Sequence, residues 1–319
     1  MVSSIIKSVG SYLPSKILTN FDLEKIVETN NDWIIERTGI VKRHIADESE
    51  LTSDLAVNAA NNALNKAGLN PSDIDLIIVA TTTPDNTFPA TAVTIQNKLG
   101  IKTATAFDVQ AVCAGFIYAL ATADSLIKNL GFKRALVIGA ETMSRIVDWQ
   151  DRNTCILFGD GAGAVILEKS EETNKGILSC SIYTDGTSKD ILFADGGVSQ
   201  NQKSGVVKME GREVFKHAVT KLSEVTLEAL NKANIKAEEI DWVIPHQANQ
   251  RILDGVIKKL NIPQEKLISC VADHANTSAA SIPLALDFAF NNGKIKKGNL
   301  IAMQAIGGGL AWGSVIARV

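Results

Sequence analysis

ALNKAGLNPSDIDLII (residues 63–78) and ALNKANIKAEEIDWVI (residues 229–244) are two versions of one segment. Eight of the sixteen positions are identical, and the offset of 166 residues is close to half of the 319-residue chain. Each copy ends a helix-like stretch, turns through polar residues and enters a short apolar run. Such a run, bounded by turn residues, predicts a buried strand. Further out the likeness is looser. Ala106–Val109 leads into the segment around Cys113 much as Leu267–Val271 leads into the one around Asn276. Late in each half a glycine cluster precedes an apolar run, GDGAGAVIL (159–167) and GGGLAWGSVIA (307–317). EKSEETNKG (168–176), polar and charged, has the composition of a connector. Strands alternating with helices imply an α/β architecture, and so long a period marks a duplicated domain, since solenoid repeats are far shorter. Two halves are expected, residues 1–170 and 171–319.

The bulk numbers exclude several function classes. A hydrophobic content of 45% with 21% charged residues is that of a soluble globular protein. A net charge of −3 leaves no broad basic surface for nucleic acid, and 5% aromatic residues provide no stacking platform for single strands. No apolar stretch approaches a membrane span. The opening MVSSIIKSVGSYLP, interrupted by Gly10 and Pro14, does not read as a signal peptide. Cys113, Cys155, Cys180 and Cys270 form no CxxC, so neither a zinc site nor any other metal is expected. Four reduced thiols in a cytoplasmic protein are the natural reading.

The duplication makes a geometric prediction. Cys113 lies 38 residues after Asp75, and Asn276 lies 35 after Asp241, so both fall between a strand and a helix at nearly equivalent places. His246 follows the predicted strand of the second copy directly. Ligands of open α/β sheets bind beyond the carboxyl ends of the strands. After Cys113, Phe116, Ile117, Leu120 and Ile127 give an apolar helical face, Lys128 falls in the last turn and Gly131 is a natural stop. Cys113 is then at or beside a helix N-terminus, where unpaired N–H groups and the dipole favour a thiolate and stabilise an oxyanion. Ala111, Ala114 and Gly115 leave room for a substrate.

Each candidate has a plainer reading beside it. Free cysteine is a common core residue, and that reading is kept for Cys155, Cys180 and Cys270, all on or beside strand-like runs. His44, His217 and His274 are taken as surface or satisfied histidines. HQANQRI after the strand is an ordinary loop by polarity, and Asn276 is a good cap for the helix whose first turn holds Pro283. The glycine clusters match no phosphate-binding pattern and read as tight turns.

Taken together, DVQAVCAGF (108–116), VIPHQAN (243–249), HANTSAASIP (274–283) and GGGLAWGS (307–314) resemble the β-ketoacyl-[acyl-carrier-protein] synthase III family. The likeness spans essentially the whole chain. It implies the thiolase-like five-layered αβαβα fold made of two duplicated halves, and a homodimer. The implied reaction starts fatty-acid synthesis: a short acyl-CoA, usually acetyl-CoA, condenses with malonyl-[acyl-carrier-protein] and CO2 is released. No cofactor is implied, since acyl-CoA and the malonyl carrier protein are substrates. By motif, Cys113 looks like the acyl-accepting nucleophile, His246 and Asn276 like its partners, and the N–H groups of Cys113 and Gly308 like the oxyanion donors. Trp33 and Arg152 resemble the pair that sandwiches the CoA adenine. Arg37, Gly211 and Asn249 fall at CoA or pantetheine positions. Lys216, Arg251, Lys258 and Lys259 resemble the basic patch that meets the acyl carrier protein. Phe88 resembles the residue that closes the acyl pocket across the dimer interface, where a large ring favours a short primer.

The chain departs from the family pattern at Ala275, where glycine is typical, at Asp273, where a basic or aromatic residue is common, and at Ile306, where some members carry phenylalanine. These departures bear on the shape of the acyl pocket. A thiolase would need a second cysteine in the C-terminal glycine loop, which AIGGGLAWG lacks. Elongating synthases carry histidine where Asn276 stands. A related synthase with another primer or acceptor, and a Cys-His-Asn thioester hydrolase, are the remaining alternatives.

Overall fold

The repeated segment takes the same course twice. A helix ends, a short 3-10 turn follows (Pro71–Asp73 and Ala237–Glu239), and a strand begins (Leu76–Ala80 and Trp242–Pro245). The shared aspartate has the same task in each copy. Asp75 N–H donates to Arg134 O while its carboxylate accepts the N–H groups of Lys133 and Arg134. Asp241 N–H donates to Leu300 O while its carboxylate accepts Leu300 N–H. Each aspartate thereby pins the start of the neighbouring strand.

The computed structural model describes residues 2–172 and 174–319; residue 173, within the connector expected over 168–176, lies outside the described residues. The first half runs β1 (Ser3–Tyr12), β2 (Lys16–Thr19), α1 (Asn20–Leu23), α2 (Asn31–Thr38), β3 (Lys42–Ile45), α3 (Thr52–Ala67), β4 (Leu76–Ala80), α4 (Thr91–Lys98), β5 (Thr105–Val109), α5 (Gly115–Leu130), β6 (Arg134–Thr142), α6 (Arg152–Cys155) and β7 (Asp160–Ser170). The second runs β8 (Gly176–Thr184), β9 (Leu192–Ala194), β10 (Val207–Met209), α7 (Gly211–Lys232), β11 (Trp242–Pro245), α8 (Gln250–Leu260), α9 (Val271–His274), α10 (Ser281–Asn291), β12 (Leu300–Gly307) and β13 (Ala311–Arg318).

One sheet has the order β1-β7-β6-β4-β5, the other β8-β13-β12-β11. β4–β6 and β11–β12 are parallel, as is β4–β5, and the two strands beyond β6 and beyond β12 are antiparallel in both sheets. The second sheet therefore repeats the first with its last strand missing. The segment matching β5 makes only an isolated bridge, Leu267 to Val243. A side chain replaces the ladder there. Gln247, fully buried, donates to Pro245 O and Ile268 O and accepts Cys270 N–H. Gln247→Ala leaves those backbone groups unpaired, at about 1–3 kcal/mol for each one buried. The urea midpoint is expected to fall accordingly, and an unchanged midpoint would show that the contacts carry no stability.

Alternation along the strands builds the layers. On β4, Leu76, Ile78 and Ala80 face one core while Ile77 and Val79 face another. On β12, Ile301, Met303 and Ala305 join the first core and Ala302 and Ile306 a third. α3 and α4 cover the outer face of the first sheet, α5 and α10 fill the space between the sheets, and α7 and α8 cover the outer face of the second. The result is five layers, αβαβα, which explains why β4 and β6 are apolar on both faces.

Two local expectations are corrected. GDGAG is not a tight turn; from Asp160 onward it lies on β7, where a Cβ on Gly163 would stand 2.6 Å from Pro283 Cβ. The glycine is needed because α10 packs directly on that strand. Cys155 ends the short helix α6 and not a strand-like run. All four cysteines are free.

Candidate active site

Cys113 stands in a 3-10 turn, Val112–Ala114, between β5 and the first turn of α5. α5 ends at Gly131 in the left-handed region (φ 79°), as its sequence predicts. The turn is shaped by the facing strand end: a Cβ on Gly307 would stand 2.6 Å from Cys113 N and 3.1 Å from Ala114 N. Only glycine lets β12 approach the Cys113 N–H this closely. Gly308 follows, itself pressed on Leu192 O.

Cys113, His246 and Asn276 line one cavity of about 1430 Å³. His246 leaves the end of β11, and its Nδ1 lies 2.7 Å from Ser281 Oγ. That oxygen also accepts Gln247 N–H at 3.3 Å; in the tautomer in which its own hydrogen goes to Nδ1, Nε2–H is left for the cavity. Burial pushes His246 down to about 3, and the ring is neutral at physiological pH. Asn276 Oδ1 accepts Ser278 N–H at 2.9 Å, which leaves the carboxamide NH2 free to donate. Its backbone is tied to Leu157 O and Gly159 N. Two neutral donors thus share a cavity with one sulfur.

The sulfur differs from the sequence expectation in one respect. The N-terminus of α5 lies beside it, yet burial pushes the Cys113 thiol up to about 12, opposed by the Ser278 hydroxyl and reinforced by Glu141. Desolvation is the largest influence, and it holds the Cys113 sulfur as a thiol at neutral pH.

Of the three departures from the family pattern, only Ile306 lines the cavity. Asp273 is exposed and pairs with Lys42 at 3.2 Å. Ala275 is fully buried at φ 58°, ψ −161°, a conformation natural to glycine. Its methyl costs about 1–3 kcal/mol of backbone strain and leaves the cavity wall untouched.

Several of the remaining candidates line the outer cavity, and others lie around it. Trp33 and Arg37 line it, and the guanidinium carbons of Arg37 and Arg152 each lie 5.1 Å from the Trp33 ring centre. Arg152 is held by Glu28 O. Gly211 opens α7 and Asn249 caps α8, its Oδ1 accepting Ile252 N–H at 3.0 Å; both line the cavity. Arg251 also lines it, over the Phe215 ring, and Lys258 and Lys259 continue along the exposed face of α8. Lys216 is exposed on α7, loosely paired with Glu213. Phe88 is 83% exposed and does not line the cavity of its own chain. Ser281, Gly307, Gln247 and Glu141 escaped the sequence reading. Only the acidic residue inside the apolar run LVIGAET signalled one of them. Among the described residues no cluster of metal-ligating side chains occurs, and no helix is long and apolar enough to cross a membrane.

Comparison with known proteins agrees over the full chain. The family model for 3-oxoacyl-[acyl-carrier-protein (ACP)] synthase III matches residues 107–186, and its C-terminal counterpart matches residues 230–319. The chain is 61% identical to the beta-ketoacyl-[acyl-carrier-protein] synthase III of Wolbachia pipientis wMel, over 99% of both sequences. It is 56% identical to that of Hyphomonas neptunium, again over 99% of both. The crystal structure of the 3-oxoacyl-[acyl-carrier-protein] synthase III of Aquifex aeolicus superposes with a TM-score of 0.95 at 51% identity, covering 99% of this chain and 100% of that one.

Proposed function

Because the chain belongs to the 3-oxoacyl-[acyl-carrier-protein] synthase III family and has its thiolase-like fold, we propose that it primes fatty-acid synthesis. It joins a short acyl-CoA to malonyl-[acyl-carrier-protein], giving 3-oxoacyl-[acyl-carrier-protein], CoA and CO2. The observation that carries this is the convergence of one buried thiol and two neutral donors on a single cavity.

Cys113 attacks the acyl-CoA carbonyl, and the N–H groups of Cys113 and Gly308 hold the oxyanion. The S–CoA bond breaks, and CoA thiolate takes up the proton that Cys113 gave. The malonyl thioester then enters. Its carboxylate C–C bond breaks, CO2 leaves, and the electron pair becomes an enolate whose oxygen receives Nε2–H of His246 and the Asn276 amide. The enolate carbon attacks the acyl group, the C–S bond breaks, and the Cys113 thiolate takes a proton from solvent to return to the thiol. Neutral His246 suits this role, since a donor is needed and no proton has to be lost. No resident cofactor enters the sequence.

Trp33 and Arg152 hold the adenine of CoA between a ring and a guanidinium, with Arg37, Gly211 and Asn249 along the nucleotide and pantetheine. Lys216, Arg251, Lys258 and Lys259 meet the acidic carrier protein; their attraction mainly raises the encounter rate and weakens with salt. β5 is an edge strand with one unpaired side, and exposed Phe88 lies in the loop between β4 and α4 that precedes it. A homodimer that pairs these edges places Phe88 at the partner's acyl pocket and limits the primer to short chains. The working compartment is the cytoplasm.

Competition among acetyl-, isobutyryl- and octanoyl-CoA, with malonyl carrier protein and CO2 release as the readout, tests this proposal. Acetyl is expected to win. A preference for octanoyl contradicts the Phe88 argument, and acyl hydrolysis without CO2 contradicts the condensation.

A further inference from the structure

Behind the Asn276 side of the cavity lies a buried cation held by neutral groups. Arg43, on β3, has no solvent exposure. Its Nη1 donates to Asn20 Oδ1 at 3.0 Å and, at 3.3 Å, to the backbone oxygen of Leu18, its partner on β2. Its Nη2 donates to Ile156 O at 2.9 Å. All three acceptors are uncharged oxygens. Asn20, equally buried, is fixed in turn by donating to Ile40 O at 2.8 Å. Stability is a weak reason for such a group, since a buried cation is costly to desolvate and an apolar side chain of similar volume often serves as well.

The bond to Ile156 falls where regular structure is lacking. Residues 156–159 lie between α6 and β7, and Ile156, Leu157 and Phe158 line the cavity that holds Cys113. The same stretch grips Asn276. Asn276 N–H donates to Leu157 O at 2.9 Å, Gly159 N–H donates to Asn276 O at 3.0 Å, and Phe158 and Asn276 form an isolated parallel bridge. Arg43 backs this stretch from the other side. A Cβ on Gly159 would stand 3.0 Å from Arg43 Cβ and 3.2 Å from His274 O. Residues 156–159 are therefore clamped between the arginine and the segment that carries Asn276.

We propose that Arg43 is a positioning residue for condensation: its bond to Ile156 O sets residues 156–159, and through them the backbone from which the Asn276 carboxamide reaches the enolate oxygen. The carboxamide follows its backbone closely, because Oδ1 is tied to Ser278 N–H only two residues on. A donor moved by a fraction of an ångström loses much of its effect on a developing charge. Lysine has the same charge but lacks the planar fork that serves Asn20, Leu18 and Ile156 from two fixed nitrogens. The inference rests on Asn276 being a donor to the enolate.

The test uses full-length protein acetylated beforehand on Cys113, freed of acetyl-CoA and mixed with malonyl carrier protein, with CO2 release followed in a single turnover. Arg43→Lys is expected to slow CO2 release roughly tenfold, while acetylation of Cys113 at saturating acetyl-CoA changes by less than about twofold. In an Asn276→Ala background the same substitution should slow CO2 release by less than about twofold, because the donor it positions is gone. A purely structural role predicts equal slowing of both half-reactions, or the same loss with and without the Asn276 carboxamide. Either pattern, or unchanged CO2 release in Arg43→Lys, overturns the proposal. Should Arg43→Lys fail to fold, Arg43→Gln, which removes the buried charge together with the fork, is judged by the same criteria. A parent protein that takes up no acetyl group on Cys113, or releases no CO2, defeats the functional reading itself, and the role of Arg43 with it.

Discussion

Cys113→Ala is expected to abolish acyl transfer, with condensation falling by about 10⁴-fold or more, as removal of a covalent nucleophile does elsewhere. The substitution removes one sulfur from a site already 96% hidden, where Cys113 is 4% exposed. Folding should barely change, because alanine fits the turn and the volume lost is small. The informative measurement is the mass of the protein after brief exposure to acetyl-CoA. The parent chain should carry one acetyl group on Cys113, and the variant none. A variant that still condenses acetyl-CoA with malonyl carrier protein at the parent's rate would show that the chemistry runs elsewhere.

The second large effect separates the two half-reactions. His246→Ala and Asn276→Ala should each reduce condensation by about 10²–10³-fold, the usual loss for one donor at a developing oxyanion. Acetylation of Cys113 should change only a few-fold, because the N–H groups of Cys113 and Gly308 serve that step. Quenched-flow measurement of acetyl-enzyme formation and of CO2 release resolves the steps. Equal losses in both would mean that His246 acts on the thiol and not on the enolate. The pH dependence adds a check of the same geometry. His246 is held down near 3, so the condensation step should show no acid limb near 6.5, the ordinary histidine value. A limb at that pH would show that the ring is wetter than its burial implies. The double variant should lose less than the product of the single losses, because both donors serve one oxygen.

The duplicated segment, read from residues 63–78 and 229–244, led directly to the paired sheets, and its shared aspartates proved to pin equivalent strands. Periodicity also located α5 and its Gly131 stop. These features are local: a strand, a turn and a cap depend on neighbours a few residues away, and the chain order records them. The missing fifth strand of the second sheet was not legible. It is replaced by contacts of one glutamine, and no pattern distinguishes a buried glutamine from a loop glutamine. GDGAG was misread for the same reason, since what its glycines accommodate, Pro283 on α10, is distant in the chain.

At the site the division is similar. By itself the sequence determined the chemical types, a thiol, an imidazole and a carboxamide, and through the repeat it placed Cys113 and Asn276 at matching junctions of strand and helix. Only the tertiary structure decided their states. Ser281 holds the imidazole from 35 residues away, Ser278 N–H holds the carboxamide oxygen, and Gly307 presses on the Cys113 N–H. The protonation of Cys113 belongs to that second class as well. Helix position argued for a thiolate, but ionisation depends on how much water surrounds the sulfur, and that is fixed by five layers of packing drawn from both halves of the chain.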